Sequence, residues 1–352
     1  MKPQRVLLAT LAVVVLGLTL WPKLTSATSQ TTKIDLVSTF ADFRSRFNKT
    51  YDSLAEMRYR MSVFEASLAF IAAHNALPDT TYTLGINQFS DITWEEFAAS
   101  HLNHPDDKNP LYGLSRQVQP PAIKAGPPDE KRINWYERGV VARVKNMGSC
   151  RANYAFAITA IVEEAYALFH KTKAPVLSEQ EVIDCSKIYE NQGCQGGSAV
   201  FSMYYIRDFG VNTAKNYPYT GKEGECRKDM HGKGPYRPKK WWTIDGGPER
   251  MLDALVERPL TAGMVIQEDF KHYKGGIYNP KECKGDPRYQ VNSIGFDIST
   301  HEPHFIAKNF WGESWGEKGF FRIAMAPGKG VCGFTGPYLS TYAIIEPKEQ
   351  EN

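Results

Sequence analysis

A cysteine and an asparagine stand close together before a long helical stretch, and they set the first question about chemistry. Cys150 lies three residues before Asn153, where the helical pattern begins. A thiol near a helix N-terminus ionises readily, and its thiolate is a nucleophile. An asparagine amide is a good hydrogen-bonding group there and a very poor nucleophile. Attack by Cys150 and self-cleavage at Asn153 are therefore alternatives, although the bulky Tyr154 disfavours the second.

The N-terminus predicts entry into the secretory route. Lys2 and Arg5 precede an apolar run from Val6 to Trp21, which ends in the small residues Thr25–Ala27. The run is shorter than the roughly 20 residues that cross a bilayer, so a cleaved signal peptide over 1–27 is favoured over a retained anchor. We expect a secreted or a lysosomal or vacuolar protein. Asn48 starts a glycosylation sequon, and both the modified and unmodified states remain open.

Six cysteines occupy the second half of the chain and form an even set. They are Cys150, Cys185, Cys194, Cys226, Cys283 and Cys332. In a secreted chain, three disulfides are the economical interpretation. Zinc is the alternative, but no C-x-x-C pair or finger-like histidine spacing supports it, so neither a metal nor a cofactor is predicted. If all six cysteines pair, Cys150 has no free thiol.

Composition and charge exclude two classes of partner. The chain has 352 residues, 42% of them hydrophobic, and a net charge of +3 without a dense Lys/Arg tract. This balance predicts neither nucleic-acid binding nor membrane binding after signal removal. We expect a monomer.

The hydrophobic pattern divides the remaining chain into a helical unit, a linker and a larger α+β unit. Leu36, Phe40, Phe43 and Phe47 predict one helix, a second follows around Phe64, and Tyr82–Leu84 is short enough for a strand. Prolines accumulate between 103 and 130, which predicts an extended linker. Beyond it, a helix from about Asn153 to Lys171 precedes five strand-like stretches. These stretches are Trp241–Ile244, Thr261–Ile266, Val291–Ile298, His304–Asn309 and Gly319–Ala324.

Several motifs occur in one order along about 300 residues of the sequence. They are Glu56, Arg60, Phe64, Ile71 and Asn75 at helical spacing, then Gly85–Asp91, Ile133–Trp135, Leu177–Cys185, Gly193–Gly197, Asn216–Tyr219, Gly276–Tyr278 and Lys308–Gly316. On these motifs the chain resembles a cathepsin L-like proform of the papain family of cysteine peptidases. The resemblance implies a papain-like fold of two lobes, a helical left one and a β-barrel-like right one, behind a helical inhibitor-type propeptide.

The resemblance also implies domain limits and a disulfide pattern. The propeptide would cover 36–101, the linker 102–130 and the peptidase domain 131–347. Cys150 would pair with Cys194, Cys185 with Cys226, and Cys283 with Cys332. An active member of this type carries a seventh, unpaired cysteine, so the even count here indicates that the nucleophile has been replaced.

The catalytic positions of the family are occupied by residues that lack the required chemistry. Asn153 stands at the nucleophile position, and Tyr289, counted back from the Ile294–Phe296 turn, at the position of the base histidine. Met147 replaces the glutamine that donates to the oxyanion. Asn309, which orients the base in the family, remains. His304 does not substitute for the base, because five strand residues separate it from Asn309 by roughly 16 Å, so we expect a packing histidine.

We therefore interpret the sequence as a secreted pseudopeptidase that binds without cutting. Gly196, Gly197 and Trp311 match positions that contact an extended peptide in the family, although packing would also explain the glycines. Expected ligands are peptides, proteins, the chain's own propeptide and cystatin-like inhibitors. A structural or storage protein and a working peptidase with an unconventional site remain as alternatives.

Overall fold

The computed structural model describes residues 35–102, 130–244, 246–287, 289–336 and 340–344. The expected signal peptide and all but the first and last residues of the expected linker lie outside these ranges. Among the described residues, no helix is both long enough and apolar enough to cross a membrane. The chain divides into two compact units, one ending at Glu65 and the other beginning at Ala66.

The first unit is held together by aromatic residues on two helices. Helix α1 covers residues 35–46, and helix α2 covers Leu54–Asn75. Phe40 and Phe43 are buried, and their rings lie 5.4 and 4.7 Å from the buried ring of Phe64. Spacing of three to four residues brings such side chains to one helix face, so the predicted apolar face is confirmed.

Among the described residues, the second unit contains six α-helices besides α2. They are α3 Trp94–His101, α4 Asn153–His170, α5 Glu179–Cys185, α6 Ala199–Phe209, α7 Pro248–Glu257 and α8 Glu268–Lys271. Thr93 begins α3 with a capping box, because its side chain accepts from Glu96 N–H while the Glu96 carboxylate accepts from Thr93 N–H. Helix α4 is buried on almost every side. Phe169 is 41% exposed, because the last turn of α4 leaves the core.

The strands form one sheet of seven and one pair. The large sheet contains β1 Tyr82–Leu84, β2 Arg132–Asn134, β4 Leu260–Met264, β5 Tyr273–Tyr278, β6 Tyr289–Asp297, β7 His304–Lys308 and β8 Phe320–Ala324. Its order is β1-β5-β8-β7-β6, and β6 pairs with β4 along its first half and with β2 along its second. Only the β5–β8 pairing within it is parallel. The pair joins β3 Lys240–Ile244 to β9 Ser340–Ile344.

Three disulfides use every cysteine of the chain. Cys150 is bonded to Cys194, Cys185 to Cys226, and Cys283 to Cys332, which is the pattern that the resemblance implies. No cysteine is free. The alternative in which Cys150 is a nucleophile is therefore wrong, because its sulfur already has a covalent partner.

Candidate active site

Asn153 is the first residue of α4 and is fully buried. The preceding residue, Ala152, has no side chain with which to cap the helix. The Oδ1 atom of Asn153 instead accepts a hydrogen bond of 3.0 Å from the backbone N–H of Gln290 in β6. The side chain thus joins the start of the central helix to the start of a sheet strand. An amide held in this way has no nucleophilic electron pair to offer a carbonyl carbon.

Tyr289 begins β6, beside the residue that Asn153 contacts. Its hydroxyl donates a hydrogen bond of 3.0 Å to Oδ1 of Asn309, and its ring lies 5.4 Å from that of Trp311. Burial raises the pKa of the Tyr289 phenol well above its usual value. The hydroxyl is therefore protonated at any physiological pH, and a neutral phenol does not accept a proton as a general base does.

Asn309 follows β7 and is fully buried. Its Oδ1 accepts from Tyr289 and also from the N–H of Phe310 at 2.8 Å, while its own N–H donates to the carbonyl of Gly319 at 2.9 Å. Its Nδ2 has no hydrogen-bond partner among the described residues. Asn309 is thus fixed by its oxygen, and the group it orients is a phenol.

Met147 lies buried next to the same loop. Its backbone N–H donates to the carbonyl of Phe310 at 2.9 Å, and its carbonyl accepts from the Tyr219 hydroxyl at 2.6 Å. The thioether has no hydrogen to donate. The position accordingly contributes packing, and no side-chain donor for a developing oxyanion comes from it.

Comparison with known proteins identifies the family to which this scaffold belongs. The papain family cysteine protease model matches residues 130–341, and the cathepsin propeptide inhibitor domain model matches residues 40–97. The chain belongs to the papain family. The fold is the α+β papain-like one with a helical propeptide, as the resemblance implies.

The relatives of this papain-family chain cover most of its length. A cathepsin L-like proteinase of Phaedon cochleariae is 34% identical over 81% of this chain and 87% of its own. The thiol protease aleurain of Arabidopsis thaliana is 33% identical over 88% of this chain and 84% of its own. The solved structure of digestive procathepsin L 3 from Tenebrio molitor larval midgut superposes with a TM-score of 0.78 at 27% identity, covering 88% of this chain and 99% of that one.

The glycine candidates for peptide contact have a packing role in this papain-family chain. A Cβ at Gly197 would lie 2.5 Å from Oδ1 of Asn191 and 2.9 Å from the Tyr154 ring. Gly196 has a φ of 128°, a backbone conformation that residues with a side chain rarely adopt. The close packing at Gly197 and this φ at Gly196 explain the glycine pair without a bound peptide, so their role in binding remains a prediction.

Trp311, the third candidate, contacts the propeptide segment. The indole is fully buried, and the rings of Phe89 and Phe97 lie 5.6 and 5.1 Å from it. The amide of Gln88 donates to the Trp311 carbonyl at 2.7 Å and accepts from the Ser314 hydroxyl at 2.8 Å. The loop after Asn309 is therefore bound by the segment that precedes α3.

The propeptide segment also extends the large sheet. Strand β1 pairs antiparallel with β5. The carboxylate of Asp269 accepts a hydrogen bond of 2.5 Å from the Tyr82 hydroxyl and another of 2.8 Å from the Tyr278 hydroxyl. The ammonium group of Lys271 donates to the carbonyl of Ile92 at 2.8 Å, and its own carbonyl accepts from Asn87 at the same distance. Burial lowers the pKa of Lys271, yet its hydrogen bond into the propeptide keeps the group partnered.

Buried and partly buried charged groups contact α4, and they were not predicted from the sequence. Lys145 donates to Glu163 at 2.6 Å and also to Glu179. Lys308 lies 3.7 Å from Glu164, whose other oxygen accepts from Asn292 at 3.1 Å. Burial raises the pKa of Glu164 to about 8. The adjacent Glu163 and Glu164 lie inside an otherwise apolar helix, and this is the sequence feature that could have indicated the buried network.

Two remaining expectations concern a metal and a glycan. Among the described residues, Cys185, Cys226 and His231 form a cluster of possible ligands within 4.8 Å, but the two sulfurs are bonded to each other. Their thiolates are therefore not available to an ion. Asn48 is exposed in the turn after α1 with a left-handed φ of 50°. Its glycosylation stays a prediction.

His304 is buried in β7, and its Nδ1–H donates to the carbonyl of Glu302 at 2.8 Å. The ring is thus part of the packing of the sheet and its following loop. This placement agrees with the expectation of a packing histidine.

Proposed function

We propose that this papain-family chain is a pseudopeptidase that binds peptides or proteins and does not hydrolyse them. One observation carries the proposal. The two side chains that would perform the first proton transfer are bound to other groups, Asn153 to the Gln290 backbone and Tyr289 to Asn309. Neither is a nucleophile or a base in that state.

Each step of acyl transfer lacks a required group. Attack needs a thiolate, and no free cysteine exists. Proton transfer needs a base that titrates near neutral pH, and the Tyr289 phenol does not. Stabilisation of the oxyanion loses the side-chain donor at Met147. By analogy with protease triads, loss of the nucleophile alone costs on the order of 10⁶ in kcat.

Binding by the same domain is supported by the contact with its own propeptide segment. Strand β1 adds to the edge of the sheet at β5, which is how many domains recognise an extended peptide. Candidate ligands are therefore extended peptides, protein loops and cystatin-like inhibitors. We further propose a monomer that follows the secretory route to the outside or to the lysosome or vacuole.

The same chemistry predicts the fate of the propeptide. A chain that does not cut proteins does not remove its own propeptide. We propose that the protein persists as a proform or is processed by another protease in the linker between 102 and 130. We also propose the domain limits that the resemblance implies, 36–101 for the propeptide and 131–347 for the peptidase domain.

Turnover and binding measured on one preparation test the proposal. Wild type, processed in the linker by an added protease that is then removed, is offered a mixed peptide library and a cystatin-type inhibitor. We expect no cleavage, and any ligand recovered should be intact. The variants Asn153→Ala and Tyr289→Phe are purified and assayed in the same way as wild type. Cleavage that wild type and both variants share comes from a contaminating protease. Cleavage by wild type that either variant loses overturns the proposal.

The names of the relatives favour a second candidate, an active peptidase with an unconventional site. The cathepsin L-like and aleurain relatives carry the names proteinase and protease. This candidate predicts wild-type cleavage that depends on Asn153 or Tyr289, so the same experiment separates the two functions.

A further inference from the structure

Lys271 is a cation buried where the peptidase domain meets the propeptide segment. It ends helix α8 and is 2% exposed. Its ammonium group donates a hydrogen bond of 2.8 Å to the backbone carbonyl of Ile92. Among the described residues, it forms no ion pair. The charge of Lys271 therefore faces the propeptide segment, which supplies its hydrogen-bond acceptor.

The segment that covers Lys271 is acidic. Asp91 adjoins Ile92, and Glu95 and Glu96 follow within four residues. Burial lowers the pKa of Lys271, and the charges of Glu268, Glu95, Glu96 and Asp91 oppose that shift. Three of these four acids belong to the propeptide segment. The occupant seen on this surface thus brings negative charge to the buried cation.

The acids of helix α8 itself leave this charge largely uncompensated. Glu268 lies in the first turn of the helix, is exposed and makes no ion pair with Lys271, so water and salt screen its charge. Asp269 accepts a hydrogen bond from Tyr278 of the peptidase domain at 2.8 Å. If the propeptide segment left, Lys271 would lose its hydrogen-bond acceptor and three of its four acidic neighbours. The surface left behind would favour a ligand that restores both.

Lys271 lies on the same binding surface as Trp311. The indole nitrogen of Trp315 donates to the Lys271 carbonyl at 3.2 Å, and the rings of Trp315 and Trp311 lie 4.9 Å apart. Two consecutive propeptide residues contact both places, because Asn87 donates to the Lys271 carbonyl and Gln88 donates to the Trp311 carbonyl. A peptide that passes Trp311 therefore also reaches Lys271.

We propose that Lys271 gives this surface a preference for acidic peptide segments once the linker has been cut and the propeptide has left. The inference rests on the proposed function, because it names the class of peptide that the pseudopeptidase binds. The bound peptide places a backbone carbonyl against the Lys271 ammonium and Asp or Glu side chains within four residues of that carbonyl. Lysine or arginine at the same positions is repelled.

Binding of three matched peptides to the processed protein tests the inference. Wild type is cut in the linker by an added protease that is then removed, and both pieces stay in solution. Labelled probes carry the sequence of residues 87–96, with acids, amides or lysines at the positions of Asp91, Glu95 and Glu96. Their dissociation constants are measured by fluorescence anisotropy. The propeptide competes equally with all three probes, so the ratios of the constants report the charge preference.

We expect the acidic peptide to bind about tenfold more tightly than the lysine peptide, with the amide peptide between them. Lys271→Met removes the charge and keeps a side chain of similar length, so the ratio should fall to about twofold or less. Lys271→Arg keeps the charge and should keep the preference. Lys173→Met changes the net charge equally at an exposed lysine and should leave the ratio unchanged.

Two readouts separate this inference from the function on which it rests. Equal affinity for the three peptides, binding of none of them, or an acidic preference that Lys271→Met retains would overturn the inference. The wild-type comparison decides the matter even if a variant of this buried lysine does not fold. Hydrolysis of the probes is followed in the same samples, and cleavage by wild type would overturn the proposed function whatever the charge preference.

Discussion

The candidate active site and the strand edge that pairs with the propeptide segment belong to the same sheet, but their side chains are suited to different tasks. At the edge, β1 pairs with β5, Asp269 accepts two phenol hydrogen bonds, and Lys271 has a partner in the propeptide. At the candidate active site, Tyr289 donates a hydrogen bond to Asn309, and the group at the position of the base is a phenol. Both regions are joined by side-chain hydrogen bonds, and on the proposed function only the second lacks the capacity for proton transfer.

On the proposed function, this difference means that the fold is maintained without the chemistry. Asn153 occupies the first position of α4 and accepts a hydrogen bond from the Gln290 N–H, so that buried donor is satisfied. We therefore expect the absence of a nucleophile to lower kcat without lowering the free energy of unfolding. Stability and catalysis can therefore be measured separately in the two regions.

Removing the cation shared by Glu163 and Glu179 should produce the largest change in stability. Lys145→Met leaves Glu163 and Glu179 buried without their partner, and we expect the free energy of unfolding to fall by about 3–5 kcal/mol. Lys173→Met, at an exposed lysine, should change it by less than about 0.5 kcal/mol. Denaturant unfolding of both variants compares the two, and equal effects would show that the buried network is dispensable.

A methyl group at the glycine pair should distinguish packing from ligand contact. Gly197→Ala brings a Cβ against Asn191 and Tyr154, each of which is held by a hydrogen bond of its own. We expect a loss of about 1–3 kcal/mol in the free energy of unfolding, with or without a peptide ligand. A variant as stable as wild type that has lost only peptide affinity would contradict the packing explanation.

The buried Glu164 predicts a dependence of stability on pH. Its folded-state pKa of about 8 lies above the unfolded value, so between about pH 4.5 and pH 8 the folded state binds the extra proton. Stability therefore falls as the pH rises through that window, by about 1 kcal/mol or more. Glu164→Gln removes this titration and should flatten the profile measured by denaturant unfolding at pH 5 and pH 8. An unchanged slope in the variant would assign the effect to other groups.

The smallest expected effect concerns the strand edge. Tyr82→Phe deletes one hydrogen bond to Asp269 and leaves the ring against that of Tyr278. Hydrogen exchange of the β1 amides should report an opening free energy about 1–2 kcal/mol lower than in wild type. Tyr59→Phe, at an exposed ring, should leave it unchanged. If the β1 amides of wild type already exchange rapidly, the pairing of β1 with β5 is weaker than its hydrogen bonds indicate.

The sequence predicted the elements whose apolar spacing is regular and missed those that depend on tertiary contact. The aromatic face of α1, strand β1, the long helix α4 and strands β6, β7 and β8 follow from periodicity. Helices α5, α6 and α7 were not predicted. Helix α5 is buried despite being rich in Glu, Gln and Asp, so no apolar stripe marks it.

The candidate site was predicted as positions and not as contacts. The resemblance gave Asn153, Tyr289, Met147 and Asn309 their places, and the even number of cysteines agreed with the disulfides. The bond from Gln290 to Asn153 joins residues 137 apart, and that from Tyr289 in β6 to Asn309, just after β7, joins residues 20 apart. No local pattern predicts such pairs, because they depend on how β6 docks on α4.

One measurement tests most directly whether the domain is folded as a peptidase but lacks peptidase activity. The hydrolysis of a mixed peptide library is compared for wild type and for the variant Asn153→Cys, Tyr289→His, Met147→Gln, both processed in the linker by the same added protease. We expect no cleavage by wild type and clear cleavage by the triple variant. The single variant Asn153→Cys should be far less active than the triple variant. Cleavage by wild type, or a folded triple variant that does not cut, would contradict it.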